Sequence, residues 1–442
     1  MDVPLIILDR EVARAAERAM QGRARLHRGD DLDAPSPLAS QRRVSSRATW
    51  VELAESKDPL AAPLRTWVGA LTLERVLWPD QARLAAAWRA ASIPIEMSGI
   101  VPFVASPRDL LRCVLGEPEP GRRRVFADAL VRGAGPVTDA ARILAERRAE
   151  ATRLLGEGGD AAEVPIDPRG AITTIAERVI TETAPFVMEA GGSWADAIAA
   201  GVGRSAGEGW PARLNARWLF ELFNRGPLVE GLRLDLAPLP EALGASSFAR
   251  ALAAFGAALA DVDGPRSSPF VVARAPFDLR RARRAALFGS LAADAVFGVR
   301  ALGLGRGRAR DQAREIARAL VVSLRLDAAR VLLRDVLLLP ARQRDSRFEE
   351  RTFAALGAPI PPALAGVVPR LGQEDPVRLA GTLIAIADRR ALIERFDEDW
   401  FLSPHAARAI REEDAVPAEP IAKAAAIEAG LAELTRALHE LG

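Results

Sequence analysis

Apolar positions recur at three- and four-residue intervals along almost the whole chain. Between Asp9 and His27, the residues Val12, Ala16, Met20 and Ala24 fall at four-residue steps among Arg and Glu, which predicts an amphipathic helix. Residues 72–91 resume the pattern, with Leu73, Val76, Leu77, Leu84 and Trp88 toward one side. Ser106-Pro107 followed by Asp109 predicts a helix start: a serine to cap, a proline at the first position and an acid in the first turn. That helix ends near Gly116, and two more fit between Gly121 and Gly156. Others are predicted over 171–190, 194–206, 213–223, 245–260, 347–356, 375–396, 404–413 and 421–441. The longest predicted element runs from Ala309 to about Leu339, roughly 45 Å at 1.5 Å per residue. Its apolar positions Ile316, Leu320, Leu324, Ala328, Val331 and Leu332 make it the expected spine of the C-terminal half.

Strand-like runs are short: Ile100–Val104, Leu232–Leu236 and Phe270–Val272. Turn formers gather at 29–47, 156–170 and 263–276. The expected fold is therefore all-α, a multi-helix bundle or helical array with two helical subdomains and minor β content. The expected boundaries are an N-terminal helix and polar linker over 1–48, a helical subdomain over 49–160 and a larger one over 161–442.

Composition narrows the chemistry. In 442 residues there are three histidines (His27, His405, His439), one cysteine (Cys113), two lysines (Lys57, Lys423) and no tyrosine. These are the side chains that most often move protons, bind transition metals or attack carbonyls near neutral pH. HExxH, GxxxxGK[ST], GxSxG and paired CxxC motifs are absent from the sequence. No metal centre and no cofactor are expected, and the balance is against an enzyme. Cys113, between Leu111 and Val114 on an apolar helix, reads as a packed thiol. The Ala/Arg bias with so little lysine resembles that of a GC-rich bacterial genome, so arginine in place of lysine carries little functional weight by itself. A single cysteine, no secretory leader and no apolar window of about 18 residues point to a cytoplasmic protein without a membrane partner.

Charge is distributed unevenly although the formal total is only +2. From Arg274 to Arg318 eleven arginines stand against Asp278, Asp294, Asp311 and Glu315. Arg310, Arg314 and Arg318 fall at four-residue steps, as do Arg280 and Arg284 one helix earlier. Guanidinium groups bind carboxylates and phosphates in a bidentate fork, so Arg280, Arg284, Arg306, Arg310 and Arg314 are the candidate ligand-binding residues. The competing expectation is a solvated face neutralised by Asp311–Arg314 and Glu315–Arg318 helix pairs. Leu302–Arg308, with three glycines, follows a helix and reads as an interhelical turn rather than a phosphate loop. The alternative acid/base group is Asp397, Glu398 and Asp399 with His405 close behind, in a C-terminal stretch where acids outnumber bases.

The function expected from this reading is a non-catalytic helical protein binding a protein partner or an acidic ligand through an arginine-rich surface. Nucleic acid is not expected, since aromatic interleaving is sparse. The alternatives are a helical enzyme acting on an anionic substrate, with arginines for positioning and carboxylates as base or Mg²⁺ ligands, and an enzyme scaffold that has lost its reactive residues.

Overall fold

The computed structural model describes residues 5–30, 32–97, 100–156, 171–186, 193–202, 216–224, 227–232, 245–262, 268–368, 374–413 and 420–441. The N-terminal elements are α1 (Leu5–Arg28), α2 (Arg47–Glu55), α3 (Ala61–Arg89), the hairpin β1 (Ile93–Met97) and β2 (Ile100–Ala105), then α4 (Pro107–Gly116), α5 (Pro120–Gly133) and α6 (Gly135–Leu155). Next come α7 (Ala171–Glu182), α8 (Trp194–Val202), α9 (Ala216–Phe223), α10 (Ala245–Val262), α11 (Phe270–Ala273), α12 (Leu279–Ser290) and α13 (Ala295–Arg300). The chain continues through α14 (Arg306–Leu332), α15 (Ala341–Leu356), α16 (Glu374–Phe396), α17 (Pro404–Glu413) and α18 (Pro420–Leu441). The fold is all-α apart from one two-stranded sheet among the described residues. No helix there is long and apolar enough to cross a membrane.

The expected cap of α4 is present: Ser106 Oγ accepts the Asp109 amide at 3.2 Å and donates to the Asp109 carboxylate at 2.5 Å. The stretch read as a polar linker is packed instead. Leu38 and Val44 are buried, the Trp78 indole donates to the Ala34 carbonyl (3.0 Å) and Arg75 donates to the Ser45 carbonyl (2.9 Å). A core of Leu8, Val12, Trp50, Leu64, Val68 and Leu144 unites α1, α2, α3 and α6.

Of the three strand-like runs, Ile100–Val104 forms β2, antiparallel to β1 with Ile93 opposite Ala105 and Ile95 opposite Phe103. Pro94 lies opposite Val104 and has no N–H, so that pair is of the non-bonded type and its nitrogen faces outward. Pro102 shares the outward parity of Val104, so both free edges lack a donor where another strand would seek one. Phe270–Val272, by contrast, is helical, in α11. The buried Asp9 carboxylate accepts the amides of Phe270 (3.0 Å) and Val271 (2.9 Å), supplying from α1 the cap that Pro269 cannot provide. In the third run, Leu232 ends a turn and 233–236 lie outside the described residues.

The C-terminal half is a row of helices, α10 against α12, α12 against α16 and α16 against α18. Small residues permit the close crossings. A Cβ on Gly381 would meet the Ala282–Arg283 backbone at 2.8–2.9 Å, and one on Gly430 would meet the Leu383 carbonyl oxygen at 1.8 Å. Aromatic rings fill the space beside α10 and α12, with Phe223 stacked on Phe255 (4.5 Å) and Phe288 edge-on to both.

α14 crosses this row as a spine, but it is shorter than predicted: it ends at Leu332 and a 3-10 turn follows at Val336–Leu338. At 29 residues α3 is the longest helix described, running through Pro79. The C-terminal half of α14 is buried together with the charges that interrupt its apolar run. Arg325, 1 % exposed, donates to the carbonyls of Ala355 (2.8 Å), Ile180 (2.6 Å) and Ala354 (2.6 Å) and to Thr183 Oγ1 (2.5 Å). It thereby ties the C-terminal turns of α7 and α15 to α14, where a cation meets the negative ends of two helix dipoles. Burial pulls its pKa down to about 10, so it remains cationic at neutral pH. Asp327 accepts from Arg330 (3.0 Å) and Arg378 (3.1 Å), joining α14 to α16.

Candidate functional site

The five arginines expected to share a ligand site fall into two settings. Arg284 is fully buried and donates to the Ile410 carbonyl (3.1 Å) in the last turn of α17, so it holds α12 to that helix and faces no ligand. Arg280 is half-buried, donating to the Ala273 carbonyl (3.0 Å) and lying 3.8 Å from Asp278. Asp278 caps α12 by accepting the Arg281 amide (3.2 Å). Burial raises the Asp278 pKa, opposed by the neighbouring Arg280 and by the amides it accepts. Both candidates on α12 are thus engaged in holding the fold.

The other three lie in the open. Arg306, Arg310, Arg314 and also Arg318 are exposed and stand at four-residue steps along the N-terminal half of α14. Each step turns the row by about 40°, and the four span about 18 Å. Arg308 and Arg300, at the end of α13, are exposed nearby. None of the six has an ion pair among the described residues, although Asp311 and Glu315 are exposed on the same helix. The helix pairs expected to neutralise this face do not form.

The buried side of the helix sets which way the row faces. Ala309, Gln312 and Ile316 pack inward, fixing the rotation of α14 so that the row faces solvent. The expected interhelical turn is present but ends at Gly305, the N-cap of α14, with Gly303 at φ +67°; Arg306, Gly307 and Arg308 already belong to the helix. From Val321 onward the helix is in the core, and the row stops there.

No family model matches this chain, and no curated protein matches it.

The alternative carboxylates occupy a helix terminus. Asp397 closes α16 in the left-handed region (φ 75°), its amide donating to the Ile393 carbonyl (2.9 Å) and its carboxylate accepting the Glu398 amide (2.9 Å). Asp397, Glu398 and His405 are exposed and Asp399 is half-buried. Among the described residues no hydrogen bond or ion pair joins them to Arg280 or Arg310, and no group of three His, Cys, Asp or Glu is placed to hold a metal ion. Cys113 is half-buried against the largest apolar cluster, and burial, then Asp109 and Glu117, raise its pKa, away from the thiolate that nucleophilic chemistry requires.

A shallow depression of about 440 Å³ runs along α15, lined by Leu339, Arg342, Ser346, Arg347, Glu350 and Arg351. Its charges are mixed: Arg351 pairs with Glu177 at 3.2 Å, and Glu349 and Glu350 are exposed beside Arg342 and Arg347. The arginine row of α14 has the larger uncompensated charge.

Proposed function

We propose that this chain is a non-catalytic helical interaction protein that takes an acidic partner on the arginine row of α14. One observation carries the reading: Arg306, Arg310, Arg314 and Arg318 stand in register, exposed and without an ion pair among the described residues, on a helix whose other half is locked in the core. A guanidinium already bonded within the fold has little to offer a ligand, as Arg284 illustrates. One that is free and held in a fixed row pays less ordering entropy on binding. Association is expected to be fast and salt-sensitive, because exposed charges steer encounter and are screened over about 8–10 Å at physiological ionic strength. The test is affinity for an acidic ligand, polyglutamate being the simplest, compared between wild type and R306E/R310E/R314E. Loss of binding with an unchanged unfolding midpoint supports the reading; equal binding rejects it.

A further inference from the structure

Resting on that reading, we infer that the row on α14 receives an acidic α-helix of a partner protein, with carboxylates at four-residue steps, rather than a strand of phosphates. The spacing is the first ground. Neighbouring members of a four-residue row lie about 5–6 Å apart on any α-helix, so a glutamate row on a second helix meets Arg306, Arg310, Arg314 and Arg318 one for one. Such rows run inclined to their helix axes, and laying one along the other gives a crossing near −50°, the commonest packing of two helices.

The second ground is the sign of the adjoining row. Asp311 and Glu315, also four residues apart and exposed, lie roughly 60° further around the helix than Arg314 and Arg318. A partner helix can offer basic side chains beside its acidic row and satisfy both. A phosphate strand has no cation to offer and is repelled by the two carboxylates. The third ground is the absence of any aromatic residue between Arg306 and Arg318, which leaves nucleic-acid bases nothing on this stretch to stack upon. The row is also ordered before binding, since Ala309 and Ile316 hold the helix from beneath and the Gly298 position lies directly against Ala309.

The experiment uses the full chain, low salt and fluorescence anisotropy with four probes. The first is a helical peptide with Glu at four-residue steps and Arg in the flanking row. The second has the same composition with its glutamates spread around the helix, the third is tripolyphosphate, and the fourth is a single-stranded RNA oligonucleotide. The in-register peptide is expected to bind about tenfold or more tighter than the permuted one, about 1.4 kcal/mol. R310E/R314E is expected to lose that binding, and a peptide with its Glu row exchanged for Arg is expected to regain it on the variant. R310Q/R314Q, which removes charge without reversing it, gives an intermediate loss, and circular dichroism confirms that each variant is folded. Equal affinity for the two peptides, or tighter binding of RNA or tripolyphosphate, overturns the helix assignment while leaving the arginine row as an acidic-ligand site. Failure of every anionic probe overturns both.

Discussion

Arg325→Met, similar in length and without donors, is expected to destabilise the protein by about 3 kcal/mol. The carbonyls of Ile180, Ala354 and Ala355 lie in the last turns of α7 and α15, where no intrahelical donor reaches them. Leaving a buried acceptor unsatisfied costs about 1–3 kcal/mol, so three cost about 3–9. The two helix ends also lose a cation worth about 0.3–1 kcal/mol each. Against this stands the release of a guanidinium from a dry site, several kcal/mol in the other direction, with no carboxylate left stranded among its four hydrogen-bond acceptors. Thr183 loses little, because its hydroxyl still donates to the Val179 carbonyl at 2.6 Å. Urea unfolding reads the difference as a lower midpoint at an unchanged slope. Arg325→Lys keeps the charge but not the planar fork and should fall between the two. A methionine variant as stable as wild type would refute the view that this guanidinium serves the two helix ends.

Gly430→Ala places a Cβ 1.8 Å from the Leu383 carbonyl oxygen, so α16 and α18 must separate; a loss of about 1–3 kcal/mol in urea unfolding is expected, against a gain if helix propensity alone decided. Asp9→Ala removes the acceptor for the Phe270 and Val271 amides and should cost about 1–2 kcal/mol, with Asp9→Asn recovering part of it. Asp278 has a raised folded pKa through burial, so its contribution to stability is full at acid pH and is lost as pH rises from the ordinary carboxylate range through that raised value. Asp278→Asn, which can still cap α12, should therefore gain on wild type as pH rises from the ordinary carboxylate range through that raised value; a difference that does not change with pH contradicts the shift.

Periodicity carried the helices well, because an amphipathic stripe is a local signal. The caps at Ser106 and the small-residue turn before α14 were legible for the same reason. Phe270–Val272 misled because β-branched and aromatic content favours a strand, while the cap that makes the segment helical comes from Asp9, far away in sequence. The segment 29–47 is rich in turn formers yet packed, since its partners Trp78 and Arg75 lie on a later helix. Among the candidate arginines, spacing alone placed Arg280 and Arg284 beside Arg310 and Arg314. Only tertiary contacts separate a guanidinium spent on a helix end from one left in solvent. The clue to the buried set was already in the chain: Arg325, Asp327 and Arg330 interrupt an apolar run, and charges in such a place must find partners.

On the proposed reading, the exposed arginines of α14 serve binding and not folding. Isothermal titration of polyglutamate into wild type and R306E/R310E/R314E, with urea unfolding of both, separates these two roles. The expected result is binding by wild type that weakens with added salt, none by the variant, and coincident unfolding curves. Equal binding by the two proteins, or a variant that fails to fold, contradicts it.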